Sequence, residues 1–233
     1  MNGKLYGVGI GPGDPELLTL KAIRIIKESD VIAVPGDNVK DTVAYKIVKG
    51  AYDRLDEKAL IPVSMPMIKD PVVLKENHRK GADQIEKYLS EGKNVAFLTL
   101  GDPTIYSTYM YVHKIISQRG YETEIINGIP SFCAVAAKLN TDLTETSDEL
   151  HVIPGTYNSD KMSDVLALHG TKVLMKSGKK LKQVRDGIIE NDSDAVMIEN
   201  CGMPDEKIYK NVQEIPEQAG YYTLIIVKDK NNE

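Results

Sequence analysis

The chain of 233 residues is long enough for one large domain or two modest ones. Apolar residues make up 42% of it and charged residues 27%, a balance that excludes intrinsic disorder as the default state. The net charge of −5 gives the molecule as a whole no attraction for nucleic acid or for an anionic membrane.

In chain order, the first apolar run predicts a strand over residues 4–10. Gly7, Gly9, Gly11 and Gly13 alternate through its end and into the following turn. The dinucleotide fingerprint G-x-G-x-x-G fails there, because its third glycine falls on Pro12 in one register and on Asp14 in the other. No G-x-x-x-x-G-K-[ST] occurs, which excludes a Walker-type phosphate loop. What remains is a loop with little side-chain bulk, stiffened by Pro12 and closed by Asp14, open to close approach by another molecule. A tight strand-to-helix turn is the competing reading. Asp14-Pro15-Glu16 carries the marks of a helix start: a cap acceptor, a proline at the first helical position and an acid facing the dipole.

Strands follow at 30–34 and 59–63. Asp70-Pro71 repeats the helix-start punctuation before a long amphipathic stretch that ends near Ser90, with Gly92 as the terminating glycine. The strand at 94–100 runs into Gly101-Asp102-Pro103-Thr104-Ile105-Tyr106-Ser107. Ligands of open α/β sheets gather beyond the carboxyl ends of strands, which is where this turn falls. Asp102 either caps the next segment or accepts hydrogen bonds from a ligand ammonium or ribose hydroxyl. Tyr106 and Tyr109 are either rim aromatics or helix packing. A strand at 121–127 leads into Gly128-Ile129-Pro130-Ser131-Phe132, where Ser131 either caps a helix or meets a ligand.

That turn places the domain boundary at Asn127, giving domains 1–127 and 128–233. Strands at 149–153, 171–175, 194–199 and 221–227 complete the second half. Strands interleaved with helices predict an α/β fold class.

These segments together carry a family resemblance that spans the chain. GVGIGPGDPELLTLKAIRII, LTLGDPTIYS and GIPSF resemble the three motifs of the tetrapyrrole (corrin/porphyrin) methylase family. Within it, the opening GKLYGVGIGPGD, the segment TLGDPTIYSTYMYV and VLMKSGKK are similar to the C-20 methylases of cobalamin synthesis. Leu100 and Thr104-Ile105-Tyr106 depart from the G-G-D-P-F-I-F typical of uroporphyrinogen and C-11 methylases.

The resemblance implies two α/β domains with S-adenosylmethionine in the cleft between them, S-adenosylhomocysteine as product, and a homodimer. It implies a reduced tetrapyrrole substrate, precorrin-2 or its cobalt complex. Pro12, Leu100, Gly101, Asp102, Ile105, Tyr106, Ser131, Phe132, Met175, Asn200, Cys201, Tyr222 and Thr223 are the implied cofactor contacts. Gly11, Pro12, Gly13, Asp14 and Lys176 are the implied substrate contacts, with Lys176 chosen from a basic run that includes Lys179, Lys180 and Lys182. Tyr106, Tyr221 and Tyr222 are candidates for moving a proton. A sister methylase acting at another ring position, and a non-catalytic nucleotide- or tetrapyrrole-binding module, are the alternatives.

No metal held by the protein is expected. His78, His113, His151 and His169 share no ligand spacing, and no C-x-x-C occurs. Any cobalt enters with the substrate. His169 before Gly170 reads as a helix-end cation, and Cys133 in FCAVAAK reads as packed. With Cys133 and Cys201 the only cysteines, no apolar run of the roughly 18 residues a membrane span needs and no signal-peptide pattern at the start, the expectation is a cytoplasmic protein.

Overall fold

The computed structural model describes residues 2–66, 70–154, 162–178 and 180–230. They form two compact units, Met1–Pro130 and Ser131–Glu233.

The first unit contains β1 (Leu5–Gly9), α1 (Leu20–Glu28), β2 (Val31–Pro35), α2 (Val43–Ala51), β3 (Ala59–Val63), α3 (Pro71–Ser90), β4 (Val95–Thr99), α4 (Tyr109–Gln118) and β5 (Thr123–Ile126). Its sheet is parallel throughout, in the order β3-β2-β4-β1-β5. The unbroken apolar runs of β2 and β4 have their cause here, because helices cover both faces. Val8, Ile32 and Leu98 pack with Ile26 and Val48 of α1 and α2, while Val31, Val95 and Phe97 pack with Ile85, Leu89 and Val112 of α3 and α4. A parallel sheet sends every carboxyl end to one edge. The turns after β4, β1 and β5 therefore leave from three neighbouring strands.

One helix start differs from expectation. Asp14 accepts from the Glu16 N–H but closes only a single 3-10 turn, Pro15–Leu17. Leu18 returns to extended backbone, and Thr19 then caps α1 by accepting from the Ala22 N–H at 3.1 Å. Asp70 does cap α3, taking the N–H groups of Val72 and Val73, and Gly92 follows its end at φ +79°.

The second unit contains α5 (Ser131–Lys138), β6 (Leu150–Pro154), α6 (Met162–Leu166), β7 (Thr171–Met175), α7 (Leu181–Glu190), β8 (Ser193–Glu199), β9 (Lys207–Tyr209) and β10 (Thr223–Asp229). Strand order is β6-β7-β10-β8-β9, with β6 and β7 parallel and β10 antiparallel to both of its neighbours. Leu181, Val184 and Ile188 of α7 cover Leu174, Met197 and Ile225. Short, exposed β9 had no sequence signal. β10 begins two residues later than expected, because Tyr221 and Tyr222 stand outside the ladder.

Two side-chain readings change. His169 pairs with Asp229 at 3.1 Å instead of serving a helix end, since α6 already stops at Leu166. Cys133 is exposed, because α5 turns Phe132, Ala134, Val135 and Ala136 inward and leaves the thiol on its outer side. No helix among the described residues is long and apolar enough to cross a membrane.

Candidate functional site

In the first unit three turns are fastened to one another. Gly11 and Gly101 form an isolated antiparallel bridge: Gly101 N–H donates to Gly11 O at 2.8 Å, and Gly11 N–H donates to Gly101 O at 3.3 Å. Both glycines have positive φ, +74° and +68°, a region closed to most side chains. Gly128 joins them from the third turn. A Cβ there would lie 2.2 Å from Gly101 O and 2.7 Å from the Gly9 carbonyl carbon.

Asp102 makes the second fastening. Its Oδ1 accepts from the Thr104 N–H at 2.8 Å and the Thr104 hydroxyl at 2.5 Å. Its Oδ2 accepts from Asn127 Nδ2 at 3.1 Å and the Gly128 N–H at 3.0 Å. Burial opposes its charge, yet the bonds from Thr104, Asn127 and Gly128 outweigh that and hold the carboxyl below its ordinary value. Four internal donors occupy the carboxylate, so what the geometry displays is a tie between two turns.

Asp102→Asn is expected to destabilise the fold by about 1–3 kcal/mol, because the new amide must present N–H to groups that are themselves donors. Thermal melts check this. The wild type should lose the contribution as pH falls through the depressed carboxyl value, since a lowered folded-state value means stability fully present above the ordinary carboxylate range and lost on the way down through the lowered value.

Pro12 and Gly13 are buried in the same region, Leu100 and Ile105 are half-buried, and Tyr106 is exposed. Tyr109 is interior packing: its ring fills the space above Gly7, and its hydroxyl lies 3.0 Å from His113 Nδ1.

In the second unit the antiparallel setting of β10 brings its start to the edge where β7 and β8 end. Lys176 N–H donates to Thr223 O at 3.0 Å, and Asn200 N–H donates to Tyr222 O at 2.9 Å. Lys176 Nζ sits 5.5 Å from the Tyr221 ring centre, and Tyr221 meets Tyr222 edge-on at 5.3 Å. Met175 and Cys201 flank this group, half-buried. The edge thus gathers Met175, Lys176, Asn200, Cys201, Tyr221, Tyr222 and Thr223. Ser131 and Phe132 open α5, which packs on β10. Because the helix starts at Ser131 itself, Pro130 holds the position before it. Lys179 lies outside the described residues.

Sequence reasoning missed Ser177 and Glu199 at this edge, and Asn127 in the first unit. Glu199 Oε1 accepts from the Gly220 N–H at 2.6 Å and so fixes the approach to the two tyrosines. Burial, and then the neighbouring Tyr221, raise the Tyr222 phenol above its ordinary value. A clue that sequence alone does not carry is backbone strain. Tyr106, Lys176 and Asn200 have φ of +48°, +61° and +55°. They are three of the six non-glycine residues with positive φ among the described residues, and for Tyr106 and Lys176 the conformation costs about 1–3 kcal/mol each.

A surface depression of about 520 Å³ lies elsewhere, at the amino ends of β2 and β3, lined by Lys27, Tyr52, Arg54, Glu57 and Lys58. Its cations are already engaged: Lys58 with the Lys27 and Ser29 carbonyls, Arg54 with Glu57, and Lys27 over the Tyr52 ring. Among the described residues no three His, Cys, Asp or Glu side chains are grouped to hold a metal ion.

Comparison with known proteins gives this geometry a context. Residues 4–216 match the family model described as Tetrapyrrole (Corrin/Porphyrin) Methylases. A probable cobalt-precorrin-2 C(20)-methyltransferase of Methanocaldococcus jannaschii is 38% identical, over 97% of this chain and 96% of the relative. The cobalt-precorrin-2 C(20)-methyltransferase of Salmonella typhimurium is 29% identical over 97% of each. The uroporphyrin-III C-methyltransferase of Thermus thermophilus, solved with S-adenosylhomocysteine, shares the fold, with a TM-score of 0.69, 20% identity and 97% of each chain covered. The family match across most of its length, together with a near-full-length relative, makes the chain a member of the tetrapyrrole (corrin/porphyrin) methylases.

Proposed function

We propose that the chain transfers a methyl group from S-adenosylmethionine to C-20 of precorrin-2 or its cobalt complex, in cobalamin biosynthesis. The observation that carries this reading is the likeness, over nearly the whole chain, to proteins named for that reaction.

S-adenosylmethionine supplies a methyl already activated on a sulfonium, so the protein's task is placement. The chain has the features that task needs. Gly9, Gly11, Gly101 and Gly128 let the three turns close on one another, since a Cβ on Gly9 or Gly128 would strike the backbone of the others and Gly11 and Gly101 both have positive φ. Leu100, Gly101, Asp102, Ile105 and Tyr106 in the first unit are our proposed contacts to the methionine half. Asp102 acts by holding its turn to Asn127 and Gly128. Pro12 joins this set, Gly11, Gly13 and Asp14 stand beside the substrate, and Ser131 and Phe132 add contacts from α5. Met175 adds a cofactor contact from β7, and Asn200, Cys201, Tyr222 and Thr223 hold the adenosine. The first unit forms the substrate trough and the second completes the cofactor site. Fixing two reactants in line can lower a barrier by roughly 7–11 kcal/mol.

Lys176, stacked over Tyr221, meets substrate carboxylates. Burial, and then Tyr221, raise the Tyr222 phenol; Tyr106, Tyr221 and Tyr222 are the candidates for moving the proton. The protein works as a cytoplasmic homodimer, which sedimentation of the purified chain tests directly.

Incubation with labelled S-adenosylmethionine and precorrin-2, with and without cobalt, is expected to add one methyl at C-20. A methyl on another ring carbon would assign the chain to a sister reaction. Binding without transfer would make it a binding module.

A further inference from the structure

Ser177 immediately follows Lys176 at the second unit's binding edge. Among the described residues, its Oγ is the buried side-chain polar atom without a hydrogen-bond partner, and the residue is 1% exposed. A buried hydroxyl left unpaired costs about 1–3 kcal/mol, so folded proteins rarely keep one without a use for it.

The surrounding backbone explains why the hydroxyl stays unpaired. Lys176 is held at φ +61° by its bond to Thr223 O. Gly178 is pressed so closely on the next segment that a Cβ would lie 2.2 Å from Gly220 O and 2.5 Å from Ala219 O. Ser177 is therefore clamped on both sides. Nearby polar groups are engaged with one another: Ser177 O takes the Lys180 N–H, Gly178 O takes the Ala219 N–H, and Gly220 O takes the Thr223 hydroxyl. Strain on one side, close packing on the other and an idle hydroxyl between them all fall on one edge, beside Asn200 and Tyr222.

We infer that Ser177 Oγ is reserved for the nucleoside half of the bound cofactor, pairing with a purine nitrogen or a ribose hydroxyl; this rests on the S-adenosylmethionine reading above. A neutral hydroxyl suits a neutral heteroatom better than a carboxylate or ammonium, which gain more from charged partners. The half-exposed rings of Tyr221 and Tyr222 and the thioether of Met175 on the same edge suit a flat heterocycle.

Calorimetry on the intact chain tests this with S-adenosylhomocysteine and with 5′-methylthioadenosine, which keeps the nucleoside and lacks the amino acid. Ser177→Ala and the similar-sized Ser177→Cys should both bind each ligand about 3- to 10-fold more weakly. Ligand-free Ser177→Ala should melt no lower than wild type, since no bond present in the free protein is removed and no bulk is added. Wild-type affinity in both variants would overturn the inference, and so would a lower melting temperature of ligand-free Ser177→Ala. A loss confined to S-adenosylhomocysteine would place the hydroxyl at the amino-acid half and also overturn it. If wild type itself takes up neither ligand, the cofactor reading fails; that outcome is separate from any difference between variants.

Discussion

Gly128→Ala is expected to reduce methyl transfer by about 100-fold or more, even where the protein still folds. The added methyl has nowhere to go, because its three nearest neighbours are backbone atoms of Gly101 and Gly9 at 2.2–2.8 Å. Backbone cannot swing aside as a flexible side chain can, so the third turn must move off the other two. Overpacking of this kind costs roughly 1–3 kcal/mol in stability. Activity should suffer more, since displacing reacting groups by about 1 Å can cost 100-fold in rate. The same shift pulls the Gly128 N–H and Asn127 away from Asp102. Turnover with labelled cofactor, set beside a melting curve, separates the two effects. A variant with near-normal turnover would show that the junction of the three turns is dispensable.

The second large effect lies at the opposite end of β10 from the proposed contacts. Asp229→Asn is expected to destabilise the second unit by about 3 kcal/mol, the scale for stranding one member of a buried ion pair. Lys172 is fully buried, and its ammonium pairs with Asp229 Oδ1 and donates to Leu168 O at 3.0 Å. Asp229 Oδ2 also takes the Gly170 N–H at 2.8 Å and faces His169. Lys172→Met combined with Asp229→Asn should recover much of the loss, because the neutral pair leaves no uncompensated charge. Burial acts against the Asp229 charge, but Lys172, the Gly170 N–H and His169 together lower its carboxyl. Its contribution is therefore present above the usual carboxylate range and disappears as pH drops through the lowered value. Chemical unfolding of both variants at two pH values measures this.

Most strands were legible because their apolar runs are continuous and their turns carry Gly, Pro and Asp. Residues 59–63 and 171–175 appear with the expected bounds, since alternation or unbroken hydrophobicity stops abruptly there. The first helix was misplaced because Asp14 and Thr19 are both good caps five residues apart, and only packing decides which begins the longer helix. β9 was invisible: three residues, mostly exposed, borrow their strand character from β8. Among the candidate site residues, the glycine turns could be named but not their mutual fastening. Asp102 has Asn127 and Gly128 as partners 25 and 26 positions away, and no local pattern encodes that pairing. Ser177 escaped for the opposite reason: what marks it is a missing bond, and sequence records none.

The central place of β10 in its sheet has a consequence for how the molecule is made. β7 and β8 have no common neighbour until residues 223–229 arrive between them. During synthesis, then, two apolar strands must wait side by side with their edges unsatisfied, a condition that invites association with other nascent chains. Growth conditions that slow elongation near residue 220 should therefore lower the soluble yield, and a pause just before residues 95–99 should do the same, because β4 likewise arrives between β2 and β1.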